Sequence, residues 1–192
     1  METLIEHFDV DGIGKSGSIF DETKMRWLNG LYIREMSDER FMEYALPYFE
    51  KSVIKDKYDY SIFAMLLKTR IEVFSEIPEA VAFIDDFKRY DLALYEHKKM
   101  KTDADVAKTA VKVAYDALKT CDDFTIPGIT AALTEASERN GIKKGQVLFC
   151  TRLALTGLAS TPGGAYEIAA ILGKTETLRR LTESLKWLEE KE

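Results

Sequence analysis

His7 and His97 are the two histidines of the chain, and they stand 90 positions apart with no convincing ligand set beside either. Each reads as a surface or partly packed histidine. Cys121 and Cys150 lie 29 positions apart with no CxxC spacing. A structural zinc site needs four closely specified ligands, so no metal is expected. Two cysteines also cannot build a disulfide scaffold, and reduced, buried thiols are the simpler reading. Asp122 and Asp123 are adjacent. On a helix they would point apart, which suits a solvated helix end or loop better than a carboxylate pair doing acid–base work. Gly12, Gly14 and Gly17 fall within six residues. Their spacing is not a phosphate-cradling fingerprint and no clear strand precedes them, so turns are expected there. No catalytic residues are assigned.

Charge is more informative. The 192 residues carry a formal net charge of −6, which excludes an indiscriminate nucleic-acid glue but not a local basic face. From Arg139 onward there are nine basic and six acidic residues, a local +3 that leaves −9 for the rest. That end is the candidate nucleic-acid face of an acidic protein. Lys143 and Lys144 within it read either as ordinary surface charge or as diffuse phosphate attraction. No apolar run approaches 18 residues, so no membrane span is expected. The start carries Glu2, Glu6, Asp9 and Asp11 rather than a basic, apolar leader, and the default compartment is cytoplasmic.

The elements that must position these groups are helical. Helix formers abound, prolines number 4 and the apolar residues recur at helical spacing, which predicts an all-α, multi-helical fold of eight or nine helices. Asp21 caps the first helix, where Trp27 and Leu28 are expected in the core and Asn29-Gly30 is expected to stop the helix. Ser37 opens the next, and Pro47 should kink or divide it. Ser61 begins a long apolar-periodic segment reaching Phe74, and Pro78 suits the first turn of another helix. Asp103 or Thr102 caps a helix through Leu118. Pro127 separates that helix from the next, Thr130 to Glu138, which Asn140 or Gly141 closes in a left-handed C-cap. Gln146 to Leu158, Ala165 to Leu172 (stopped by Gly173) and a final helix striped by Leu178, Leu181, Leu185 and Leu188 follow. A composition shift near 90–102 divides the chain into residues 21–95 and 96–192, after an irregular lead-in over 1–20. The lead-in has no obvious partner, so the chain is expected to begin inside a larger protein.

Two motifs carry a resemblance. Lys15-Ser16-Gly17-Ser18-Ile19-Phe20-Asp21, with Lys24-Met25-Arg26-Trp27-Leu28-Asn29-Gly30-Leu31-Tyr32-Ile33-Arg34, resembles the segment after the catalytic half of bacterial-type glutamyl-tRNA synthetases. Gly141-Ile142-Lys143-Lys144-Gly145-Gln146-Val147, Arg152-Leu153-Ala154-Leu155-Thr156-Gly157 and Thr161-Pro162-Gly163-Gly164 through Ile171-Leu172-Gly173-Lys174 resemble the anticodon-binding domain of the same family. Thr69-Arg70-Ile71-Glu72 and Glu76-Ile77-Pro78-Glu79 between them also fit.

The resemblance implies two helical anticodon-binding subdomains of the α-helix cage type, from a class I synthetase. Such a parent activates glutamate with ATP and Mg²⁺ and transfers it to the terminal adenosine of tRNA(Glu). It is expected to be a monomer in the cytoplasm. Its catalytic domain, with HIGH-like and KMSKS-like signatures, would lie before Met1. This chain, holding neither signature, would need no cofactor and have no aminoacylation activity alone. Arg70 corresponds to an arginine that reads the third anticodon base, which separates glutamate tRNA, ending in C, from glutamine tRNA, ending in G. A guanidinium presents a rigid donor fork for this. Arg152 corresponds to an arginine that stacks on or contacts an anticodon base. Thr161, Pro162 and Gly163 match the break beside the anticodon, where exposed backbone and a hydroxyl can bond a splayed base. Gly164 departs from the larger residue often found there.

Each residue also has a plain structural reading. Arg70 reads as a helix-surface ion-pair partner, Arg152 as a cap or pair inside the second subdomain, and Thr161 to Gly164 as an N-cap and turn. The alternative function is a helical protein-interaction adaptor on the same scaffold without specific RNA binding.

Overall fold

A computed structural model of the protein describes residues 5–9 and 21–190. The expected turns at Gly12, Gly14 and Gly17 and the motif from Lys15 to Phe20 lie outside the described residues. The architecture is all-α. α1 spans Glu22–Glu35, α2 Asp38–Phe49, α3 Tyr60–Leu67, α4 Ile77–Ala80, α5 Ala104–Thr120, α6 Ile126–Arg139, α7 Lys144–Thr156 and α8 Ala165–Glu189. Short 3₁₀ turns occupy Phe74–Glu76, Ala82–Ile84 and Leu92–Tyr95. Among the described residues, β pairing is limited to one bridge between His97 and Thr102. None of the described helices is long and apolar enough to cross a membrane.

The caps follow the local chemistry. The carboxylates of Asp21 and Asp103 accept from the amides of Lys24 and Val106, and the Ser37 hydroxyl accepts from Arg40. Each satisfies an amide that the first helical turn leaves unpaired. Gly141 closes α6 at φ +64°, and the amides of Gly141 and Ile142 bond back to the carbonyls of Glu138 and Ser137. That pattern satisfies the last carbonyls of the helix. Gly173, at φ 72° and ψ 167°, breaks α8 at the expected place.

Several expectations fail for tertiary reasons. α1 runs straight through Asn29-Gly30. The Asn29 amide donates to the Glu72 carbonyl, and Gly30 lets the chain at Ile71 and Glu72 come close enough that a Cβ would sit 3.4 Å from the Glu72 Cα. The glycine is a contact surface, not a stop. Trp27 and Leu28 are not core: they are 52% and 38% exposed, beside Met25 and Tyr32, because α1 buries only the narrow face bearing Gly30 and Ile33. Pro47 does not divide α2, which ends two residues later at Phe49. So near the end, the proline removes a single bond of the last turns. The helix after Ser61 stops at Leu67, and the chain turns out so that Ile71 enters the core. Pro127 does not separate helices, since α6 already begins at Ile126 with Thr125 as its cap and Pro127 in its first turn.

α5, α7 and α8 pack on one another, with α6 against them, while α2, α3 and α4 pack together. Ala107, Ala110 and Ala114 on the buried face of α5 keep those helices close. The buried residues form one cluster running from Ile33 to Leu188. Two polar constructions cross it. Tyr90 bonds Tyr95 at 2.7 Å and donates to Ser184 Oγ at 2.9 Å, and Ser184 donates to the Ala154 carbonyl, seating the 90–95 connection on α7 and α8. Arg180, 1% exposed, donates to the carbonyls of Phe83, Ile84 and Leu155 at 2.6–2.9 Å and to Glu176 at 2.6 Å. Its guanidinium carbon lies 4.6 Å from the Phe87 ring centroid.

Removing the donor would orphan three buried carbonyls. Arg180→Met should cost about 3–5 kcal/mol in urea unfolding, the range for breaking a buried ionic group's partners. Hydrogen bonds from Arg179 and Arg180 hold the Glu176 carboxyl down at about 2 from its ordinary 4.5. A depressed carboxylate contributes stability above its unfolded pKa and loses it as pH falls through the folded value. Stability should therefore drop as pH falls from about 4.5 to about 2, and Glu176→Gln should flatten that part of the profile.

Candidate functional site

Arg70 sits in the turn after α3, not on a helix face. Its amide and that of Ile71 both bond the Leu67 carbonyl, at 2.8 and 3.0 Å, fixing the turn. α1 supports the same turn: Arg26 pairs with Glu72 at 3.3 Å and with Glu76, and the Glu76 carboxylate accepts from the Glu72 amide at 2.9 Å. Arg70 Nη1 then reaches the Thr161 carbonyl at 3.4 Å, 91 positions along the chain.

Arg152 arrives at the same residue from α7. Its Nη1 donates to Thr161 Oγ1 at 3.2 Å and to the Leu158 carbonyl at 3.1 Å, and its Nη2 to the Ala159 carbonyl at 3.0 Å. The loop it grips leaves α7 at Gly157, held at φ 67°. No carboxylate pairs with Arg70 or Arg152 among the described residues. Burial, with the positive charge of Arg70 nearby, lowers the pKa of Arg152. Two like charges held together without a counter-ion favour an anion or an electron-rich base edge between them. The Arg152 guanidinium carbon also lies 5.7 Å from the Phe149 ring centroid, within reach of a cation–π contact.

A cleft of about 780 Å³ opens beside Arg70, lined among others by Arg70, Glu76, Glu79, Phe83, Asp86, Leu158, Thr161 and Pro162, with Arg152 outside the lining and joined to it through Thr161. That volume is typical of small-ligand pockets. The structure thus brings Arg70, Arg152, Thr161 and Pro162 together. Gly163 lies behind them against Leu66 and Ile168, its would-be Cβ 3.3 Å from Leu66 Cδ1. Lys143 and Lys144 are exposed at the start of α7, with Lys144 about 12 Å along the axis from Arg152.

Exposed backbone and a free hydroxyl at Thr161 to Gly163 are not found. Thr161 is 8% exposed, its hydroxyl donates to the Gly163 carbonyl at 2.7 Å, and Pro162 and Gly163 are buried. This segment is the clamp, and the accessible residues are Leu158, Ala159 and Ser160 just before it. Sequence reasoning did not single these out. Their signal was their place between Gly157 and the Thr161 break. The ion-pair reading of Arg70 also fails, whereas Arg152 does close carbonyls past the end of its own helix.

The basic tail narrows as well. Arg180 is buried, Arg179 is bonded to Glu176 and Glu183, and Arg139 to Glu135. Lys174 donates to the Cys121 carbonyl at 2.7 Å. Lys143 and Lys144 remain exposed at the start of α7 and Arg152 holds the loop beside the cleft, whereas Lys186 stands near the C-terminal end of α8. Cys150 is buried and its thiol is pushed up to about 12, while Cys121 is half-buried and also raised, both chiefly by desolvation. His97 is exposed and packs on Phe149, ring centroids 5.0 Å apart. The described residues contain no group of three or more His, Cys, Asp or Glu able to hold a metal.

Residues 40–185 match the family model described as an anticodon binding domain. The chain is 47% identical over 184 residues to a glutamate–tRNA ligase from Lachnoclostridium phytofermentans, covering 94% of this chain and 37% of that protein. It is 42% identical over 193 residues to one from Clostridium novyi, covering 99% and 40%. A crystal structure of a glutamate tRNA ligase from Elizabethkingia meningosepticum, in complex with its amino acid, has the same fold. The TM-score is 0.73 at 22% identity, covering 97% of this chain and 36% of that one. The chain spans about two fifths of the length of the curated relatives it matches.

The loop geometry depends on Gly157. A Cβ there would lie 2.7 Å from Tyr90 Cδ1, on a backbone with φ +67°. Gly157→Ala should lower unfolding free energy by about 1–2 kcal/mol from the left-handed backbone alone, measured in urea. A larger loss would register the displacement of Tyr90.

Proposed function

Since the chain belongs to the anticodon-binding domain family and corresponds to that region of glutamate–tRNA ligases, we propose that its Arg70–Arg152 cleft reads the anticodon of tRNA(Glu). The observation that carries this is the convergence of two guanidiniums, unpaired with carboxylates, on one residue. Arg70 presents its donor fork to the third anticodon base, where C offers acceptors in a pattern that G does not. Arg152 stacks with a second base across its free face while its edge holds the loop. Thr161, Pro162 and Gly163 act as the wall that sets the spacing of the two arginines, and Lys143 and Lys144 attract phosphate.

Residues 21–95 would supply one half of this reader and 96–192 the other, after a lead-in over 1–20. The longer protein would attach glutamate to tRNA(Glu) with ATP and Mg²⁺, in the cytoplasm and as a monomer. The chain alone would not catalyse that reaction. The exposed Met25, Trp27, Leu28 and Tyr32 on α1 favour a protein contact on that face. The catalytic part of the same protein is its natural partner, in preference to a free-standing adaptor role.

Arg70→Ala should erase a preference for C over G at the third anticodon position of about 1–3 kcal/mol, roughly 5- to 150-fold, in equilibrium tRNA binding. Arg152→Ala should weaken both RNAs by about 1–3 kcal/mol. Equal affinity of the wild-type chain for all anticodons, unchanged in both variants, would sink the reading.

A further inference from the structure

The turn over residues 97–102 is a built platform rather than a linker. The His97 and Thr102 amides and carbonyls exchange bonds at 3.1 and 3.3 Å, closing it at its base. The Met100 amide donates to His97 Nδ1 at 3.2 Å, and Lys101 takes φ +54°. Thr102, 7% exposed, anchors the base by donating to the Tyr95 carbonyl at 2.7 Å. The turn therefore holds Lys98, Lys99 and Lys101 outward, all three exposed.

This platform abuts the start of α7. Gln146 Nε2 donates to the Lys101 carbonyl at 2.7 Å, and Met100 Cε lies 3.2 Å from where a Cβ on Gly145 would be. Lys143 and Lys144 thereby join the three lysines of the turn. α7 begins there with no side-chain cap and no acidic residue in its first turn, so the positive end of its dipole adds to the same field. None of the five lysines makes an ion pair among the described residues; the neighbouring Asp103 is used as the cap of α5. Phe149 links the turn to Arg152: His97 packs on its ring, and the Arg152 guanidinium carbon lies 5.7 Å from its centroid.

We propose that Lys98, Lys99 and Lys101, with Lys143 and Lys144, form a phosphate-binding rail for the ribose–phosphate strand whose bases enter the Arg70–Arg152 cleft. The inference rests on the anticodon reading and extends it to a second, sequence-independent contact. Flexible ammonium groups are point charges without a recognition geometry, so they position an RNA and cannot tell one base from another. An RNA backbone fits five exposed lysines that make no ion pair among the described residues better than an acidic protein segment does, because α7 runs from this patch to Arg152, which holds the Thr161 wall of the cleft.

The test compares the wild-type chain with the triple variant Lys98→Ala, Lys99→Ala, Lys101→Ala. Each binds transcripts of tRNA(Glu) with C or G at the third anticodon position, from about 50 to 200 mM salt. The rail predicts a slope of log affinity against log salt that is shallower by about 0.7–0.9 for each phosphate no longer neutralised. Both transcripts should weaken by the same factor, and the ratio between them should stay at its wild-type value. Thermal unfolding should not move, since the three side chains lie outside the core. An unchanged slope with discrimination intact overturns the rail and leaves the anticodon reading standing. A slope that changes for one transcript only overturns it too, because the turn would then read bases. A wild-type chain that binds neither transcript overturns the anticodon reading and the rail with it.

Discussion

A guanidinium that must satisfy three carbonyls from two distant stretches of chain fixes where those stretches meet. Arg180 does this, binding Phe83 and Ile84 on one side and Leu155 on the other. Its charge, unable to reach water, is balanced by Glu176 and by the face of Phe87. A buried ionic group of this kind tolerates little displacement, because every broken bond leaves an unsolvated polar atom. The cleft lies just beside it: Phe83 lines one wall, and α7 continues from Leu155 into the loop that Arg70 and Arg152 hold.

Thr161 is the second fixed point. Arg70 and Arg152 come from opposite halves of the chain and bind different atoms of the same residue. Their spacing is therefore set by a backbone carbonyl and a hydroxyl rather than by a counter-ion. Pairing either arginine with a carboxylate would stabilise it but weaken the positive charge on which the proposed anticodon contact depends. Arg26 takes up the charges of Glu72 and Glu76 beside the Arg70 turn, so the ion pairing that stiffens the turn is made to Arg26 and leaves Arg70 unpaired.

The caps and breakers were legible in the sequence because their causes are local. Asp21, Ser37, Asp103, Gly141 and Gly173 act through bonds or dihedrals within a few residues. What failed depended on partners far along the chain. Asn29-Gly30 has the composition of a turn, yet the approach of Ile71 and Glu72 makes it the packed face of α1. Trp27 is helical as the pattern implied, but periodicity does not say which face finds a partner. Arg70, Arg152 and Thr161 were identified by resemblance, and their convergence is tertiary. Arg180 was counted among surface cations because charge in a sequence carries no record of burial. The lysines at 98, 99 and 101 fall within the composition shift over 90–102, and only their placement against α7 brings them near Lys143 and Lys144.

Entry of the anticodon between Arg70 and Arg152 is the claim on which the functional reading turns. Photo-crosslinking tests it most directly, using tRNA(Glu) with a photoreactive base at each anticodon position in turn. The expected adducts fall on residues 158–160 and on the turn bearing Arg70, and they disappear when unlabelled tRNA(Glu) competes. Adducts confined to α6 or to the exposed face of α1 would contradict it.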